Sequence, residues 1–170
     1  MDKASNTGQR LRNAVNDARE RLLAIGEEQS ERQPAPGKWS PKEILGHLFD
    51  SASNNHQRFV RAQFQDHLIF PGYQQDAWVN VQHYRISKWT DLVELWALFN
   101  LHLAQVIDHV PDIIRNHPHE EHNLNHIAWK TVPEEEPATL EYFMADYVDH
   151  LEHHLRQIWE IIQSQEETGG

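Results

Sequence analysis

Apolar residues recur at helical spacing in four separate stretches of the chain. In the first, Gln9 to Glu28, the positions are Leu11, Val15, Ala18, Leu22 and Ile25, the period of one buried helix face. The run "SERQPAPGKWS" then breaks the pattern with proline and glycine. Ser40 followed by Pro41, with Glu43 in the first turn, is a helix start. The second helix is expected from Pro41 to about Gln65, with Ile44, Leu48, Ala52, Phe59 and Ala62 as its apolar stripe. A third stripe of Leu92, Trp96, Phe99, Leu103, Val106 and Val110 alternates in steps of four and three. Ser87 or Thr90 could cap it, and Pro111 ends it. The fourth, from Pro137 to about Gln163, repeats that alternation through Leu140, Met144, Tyr147, Leu151, His154, Ile158 and Ile161, the seam of a helix packed in a bundle.

Between the second and third helices, "FPGYQQDAWVNVQHYRISKW" leaves room for one short helix at Gln75–Gln82. Before the fourth, "RNHPHEEHNLNHIAWKTVPEEEPATL" is irregular, and "NHIAWKTV" reads as a short strand or hairpin arm. The expected architecture is one all-α domain over residues 1–170. It is an up-down four-helix bundle with a long irregular insertion before the last helix.

Composition narrows the function. The chain has 170 residues, of which 39% are apolar and 24% charged, as in an ordinary globular domain. No apolar run is long enough to span a membrane, and the N-terminal run has no apolar core of a signal peptide. Cysteine is absent, which removes disulfides, thiolate metal sites and cysteine nucleophiles. A cytoplasmic location is expected. The net charge of −11, with no basic stripe, opposes nucleic-acid binding. Thirteen histidines are the unusual figure, since neutral imidazole binds metal.

The helical wheel sorts those histidines. At about 100° per residue, His154 lies within the apolar seam of the fourth helix, His150 lies at its edge one turn earlier, and His153 points away. Residues at i and i+4 share a face, so His150 and His154 can converge on one ion. The same spacing also suits a buried His154 bonded to a neighbour beside a solvated His150. On the second helix a polar line of His47, Ser51, Asn54 and Arg58 flanks the apolar stripe. It suits either the wall of a cleft or a solvated helix edge. His102 flanks the third seam, where it could line the same cleft or be a satisfied core histidine. His117, His119, His122 and His126 read mostly as solvated loop residues. His56, His67, His83 and His109 have no ligand-like spacing.

Several metal and hydrolase motifs are missing. Leu151 stands where a His-Glu-x-x-His protease would have its glutamate, and no Glu-x-x-His pair marks a di-iron bundle. No glycine-rich phosphate loop or Gly-x-Ser-x-Gly elbow occurs. What is present, "KWSPKEILGHLFDSASNNHQRF" and "YVDHLEHHLRQI", resembles the two signature segments of the DinB-like family. The matching positions are Trp39, Ser40, His47 and Asp50 in one, and His150, His154, Gln157 and Ile158 in the other. Within the family the chain is most similar to the YfiT-like group of metal-dependent hydrolases, with echoes in Asp76, Ala77 and Trp78 and in His117 and Pro118. Pro137 departs from the glycine the family often has before its last helix.

The resemblance implies a bundle that holds one divalent ion by His47, His150 and His154. Three imidazoles leave a coordination position open for water, whose pKa a zinc-type ion lowers from about 15.7 to about 7. Zinc or nickel is favoured and iron fits. The reactions implied are hydrolysis of a small molecule or transfer involving a low-molecular-weight thiol. A non-catalytic metal-binding bundle is the competing reading. Asp50 and Asp76 are the candidate general bases, although helix phase turns Asp50 from the apolar stripe, and Asn54 and Arg58 could orient an anionic substrate. A homodimer is expected.

Overall fold

A computed structural model describes residues 7–168. The order of helices is α1 (Thr7–Leu23), α2 (Glu27–Glu31), α3 (Pro41–Arg61), α4 (Gln75–Gln82), α5 (Trp89–Asp108), α6 (Asp112–Arg115), α7 (Leu124–Ile127) and α8 (Leu140–Thr168), with 3-10 turns at Ala62–Phe64 and Tyr84–Ile86. Four of these are long and enclose a core that includes Leu48, Phe59, Trp96, Leu103, Phe143 and Leu151. α1 packs chiefly on α5 and α8, and α3 likewise on α5 and α8. The order around the bundle is therefore α1, α5, α3, α8. This ordering sets α3 and α8, the two helices that carry the candidate site, side by side. No helix among the described residues is long and apolar enough to cross a membrane.

The start of α3 follows from its sequence. Ser40 accepts a hydrogen bond from the Glu43 amide at 3.3 Å, and the Glu43 carboxylate accepts one from the Ser40 amide at 2.9 Å. That capping box satisfies two amides that would otherwise be left open, and Pro41 fills the first helical position.

α5 begins differently from expectation. Its N-cap is Lys88, with no side-chain cap of its own, so neither Ser87 nor Thr90 serves. Instead the Glu27 carboxylate, from α2, accepts the Trp89 amide at 2.9 Å. Glu27 also pairs with the ammonium of Lys42, which Glu31 reaches at 3.0 Å. The Lys42 hydrogen bond, then the Trp89 amide, hold the Glu27 carboxyl below its ordinary range. One acidic turn thus ties the starts of α3 and α5 together.

The first apolar stretch is two helices, not one. The chain leaves α1 at Leu23, and the extended Gly26 caps α2. Likewise α8 starts at Leu140, not Pro137. Ala138 is held extended by two backbone bonds to His119, at 2.8 and 3.0 Å, and Thr139 Oγ1 accepts the Tyr142 amide. The expected strand in "NHIAWKTV" is absent. Leu124–Ile127 is a helical turn, and the Trp129 and Lys130 amides donate to the Asp146 carboxylate of α8 at 2.8 and 2.7 Å. Bonding to a side chain replaces the ladder a strand would need. His119 and His122 are buried and not solvated, and they bond the Asp66 and Glu136 carbonyls.

Gly46 marks the closest approach in this part of the fold. A Cβ there would overlap the ring of Tyr84, whose hydroxyl is fixed on Asp50. Gly46→Ala is expected to destabilise the protein by about 1–3 kcal/mol, the usual cost of overpacking, as read by urea unfolding. Gly46→Ala unfolding at the wild-type urea midpoint would show the ring free to move.

Candidate metal centre

The candidate centre lies across the α3–α8 seam. His47 is on the buried face of α3, fully enclosed, and its ring lies against Trp39 with centroids 5.0 Å apart. His150 and His154 sit one turn apart on α8. The Nε2 atoms of His150 and His154 are 3.0 Å apart, and those of His47 and His150 are 3.4 Å apart. One ligand atom from each of the three rings falls within 4.8 Å of the others.

This donor set fits a divalent ion. A tetrahedral zinc with bonds of about 2.0–2.1 Å separates its nitrogens by about 3.3 Å, close to the shorter two distances. The rings also have the right charge. Burial, then the neighbouring His154, pushes His47 down to about 3. Burial, then His154, His47 and His153, pushes His150 down to about 2. Burial also lowers His154, against the opposing hydrogen bond it donates to Gln157. All three are neutral near pH 7, so three rings, each able to present a lone pair in one tautomer, converge in a site that disfavours added positive charge on the rings. A cation relieves that crowding.

Gln157 prepares His154 for this role. Its Oε1 accepts the Nδ1–H of His154 at 2.7 Å, which directs the other nitrogen's lone pair to the centre. Its amide also contacts His153 at 3.2 Å. His153 packs on Trp129 and stays outside the convergent group, as the wheel implied. On the other helix, His47 Nδ1 and Asp50 Oδ2 are both buried without a hydrogen-bond partner.

Two clefts flank the seam. A polar one of about 250 Å³ includes Ser51, Asn55, Arg58, Tyr73, Asp146 and His150 in its walls. A larger one of about 590 Å³ includes Trp39, Ile44, Asp76, His154, Gln157 and Ile161. The sequence-derived candidates divide accordingly. Ser51 and Arg58 line the polar cleft and Asp76 the other. Asn54 lines neither and donates to the Asp50 carbonyl; Asn55, one residue on, takes its place. His102 is exposed on α5 beside His56, away from both clefts.

Asp50 also lines neither cleft. It is buried because α4 and the following turn cover that side of α3, a packing the wheel of α3 alone does not contain. Its Oδ1 accepts from the Tyr84 hydroxyl at 2.5 Å and the Gln82 amide at 2.6 Å. Burial raises its pKa while those two bonds lower it. Asn55, Tyr73, Asp146 and Trp129 were not singled out as site residues by spacing, because they reach the cleft through loop and cross-helix packing.

The sequence profile of the DinB superfamily matches residues 10–158. No curated protein matches the chain. Among solved structures, YfiT from Bacillus subtilis, described as "a probable metal-dependent hydrolase with an unusual four-helix bundle topology", is similar with a TM-score of 0.77. The likeness covers 97% of this chain and 90% of that one at 18% sequence identity, and it is a likeness of fold.

Protein purified without a histidine tag is expected to carry about one divalent ion per chain by elemental analysis. His47→Ala, His150→Ala and His154→Ala should each lose it, while His153→Ala keeps it. Gln157→Ala should weaken affinity about 10–100-fold. Stability should also follow pH in the chelated protein. Unfolded imidazoles titrate near 6.5, whereas folded His47 and His150 do so at about 3 and about 2. Between these values only the unfolded chain takes up protons, so stability falls as pH drops below about 6.5. A His47→Leu, His150→Leu double variant should show a shallower slope in denaturation followed across that range.

Proposed function

The chain belongs to the DinB superfamily, and from that premise we propose that it is a metal-dependent hydrolase acting on a small molecule. The convergence of the His47, His150 and His154 ring nitrogens across one helix seam is the observation that carries this reading. The similarity to YfiT, described as a probable metal-dependent hydrolase, adds support.

His47, His150 and His154 would hold the ion. When bound, it would supply Lewis acidity, which would lower the pKa of water and polarise an acyl or phosphoryl oxygen. The chain's own residues do the rest. Gln157 keeps His154 in one tautomer. Trp39 packs against His47 and Trp129 lies near His150, so each flanks one of the rings that would hold the ion. Asp76, exposed in the first turn of α4 and on the same cleft as His154, is the proton acceptor in this scheme. Asp50 instead holds α4 against α3 through Gln82 and Tyr84.

A second reading has its own observation. Two clefts of different polarity border the triad, one at His150 and the other at His154, as a reaction of two substrates would require. A low-molecular-weight thiol activated at the ion, with an electrophile beside it, would use both.

Zinc- or nickel-loaded protein separates the two. Hydrolysis of aryl esters or amides without added thiol is expected under the first reading. Turnover that appears only with thiol and an alkylating electrophile supports the second. Asp76→Asn should lower kcat about 10²-fold or more and remove the acid limb of the pH profile. An Asp76→Asn enzyme with an unaltered profile would end the assignment of that residue. An ion-loaded protein inactive in both assays would leave a metal-binding bundle without catalysis.

A further inference from the structure

Three lysine or arginine side chains are buried among the described residues: Lys42, Arg58 and Arg115. Two of them have acids. Lys42 meets Glu27 and Glu31, and Arg115 meets Glu141 at 2.8 Å and Asp112 at 3.9 Å. Arg58 does not. Its polar partners are Asn55 Oδ1 at 3.3 Å and the Pro71 carbonyl at 2.9 Å, and both are neutral. Yet it is 6% exposed, and that small opening faces the polar cleft beside His150.

An unpaired buried guanidinium is costly, because desolvation disfavours its charge. That desolvation lowers the Arg58 pKa here. The aromatic faces of Phe143 and Tyr73, with the guanidinium carbon 5.8 and 6.0 Å from their centroids, offset part of the cost and hold its position. They supply no counter-ion. A guanidinium's fork of donors matches the two oxygens of a carboxylate.

We propose that Arg58 is the anchor for the carboxylate of a small organic acid bound in the polar cleft, with the Tyr73 hydroxyl and the Asn55 amide as neutral neighbours. This rests on the reading of the seam as a reaction centre and adds the class of its substrate. A carboxylate suits the cleft better than a phosphate. Arg58 is the one positive charge in the wall and the other charged wall residue, Asp146, is negative, so nothing there meets the second charge of a phosphate dianion. Asp146 is itself occupied by the Trp129 and Lys130 amides. Arg58 and His150 share the walls of this one cleft, so an acid anchored at Arg58 occupies the cleft that borders the centre.

The test is calorimetric titration of zinc-loaded protein with acetate, succinate and benzoate, against benzamide and inorganic phosphate. At least one carboxylate should bind with one site per chain, ten-fold or more tighter than benzamide and tighter than phosphate. Arg58→Gln should weaken that binding at least ten-fold, and Arg58→Lys should recover part of it. Tyr73→Phe, which removes one hydroxyl and keeps the ring, should weaken it about three-fold and covers the case in which Arg58→Gln fails to fold. His154→Ala should leave the affinity within about two-fold, since the anchor does not need the ion. Loss of binding in His154→Ala with retention in Arg58→Gln would place the carboxylate on the metal and overturn the proposal. Equal binding of benzoate and benzamide, tighter binding of phosphate, or no carboxylate bound at concentrations up to about 10 mM, ten-fold above a Kd of about 1 mM, would overturn it as well. A protein that binds carboxylate through Arg58 yet holds no ion would leave this assignment standing while the hydrolase reading falls.

Discussion

Everything distinctive in this molecule turns on three neutral imidazoles whose ring nitrogens face one another across the α3–α8 seam. Burial disfavours the imidazolium forms, so the three rings crowd their nitrogens together without the positive charge that would make each a double donor. A bundle seam filled only by apolar side chains would avoid that conflict altogether. Its presence, with Gln157 fixing one ring, gives the seam a chemical character that packing alone does not require.

The rest of the fold can be read as support for that seam. Lys42 and Glu27 join the start of α3 to the start of α5, and the Ser40–Glu43 box fixes the first turn of α3. One turn later comes His47. Gly46 lets Tyr84 lie against α3, and Tyr84 with Gln82 engages Asp50. On the other side, Asp146 gathers the loop amides of Trp129 and Lys130 one turn before His150, which sets Trp129 beside the histidines. Each ligand candidate thus follows closely on a residue that fixes the rotation of its helix.

Much of this is legible locally. The bundle could be read from four stripes, the α3 start from Ser40, Pro41 and Glu43, and α4 from its short run between loops. The pair His150 and His154 follows from their spacing, and His47 joins them through a family likeness in the surrounding residues. What escaped depends on partners distant in sequence. Glu27 caps a helix sixty-two residues away, so no local rule could find it. Asp50 looked outward on the wheel of α3 because α4 was not yet placed over it. His119 and His122 appeared solvated because their partners, the Asp66 and Glu136 carbonyls, are backbone groups with no signature in side-chain spacing. Arg58 was visible as part of a polar line, but its burial without an acid emerges only once Phe143 and Tyr73 enclose it.

The ring order α1, α5, α3, α8 has a mechanical corollary. His47 and His150 stand 103 positions apart in the chain, so an ion gripping both would close one of the longest loops the polypeptide can form. In a protein without cysteine, such a grip would stabilise the fold where no disulfide can: an ion bound only by the native site would add its binding free energy to folding and couple retention of the metal to survival of the tertiary structure.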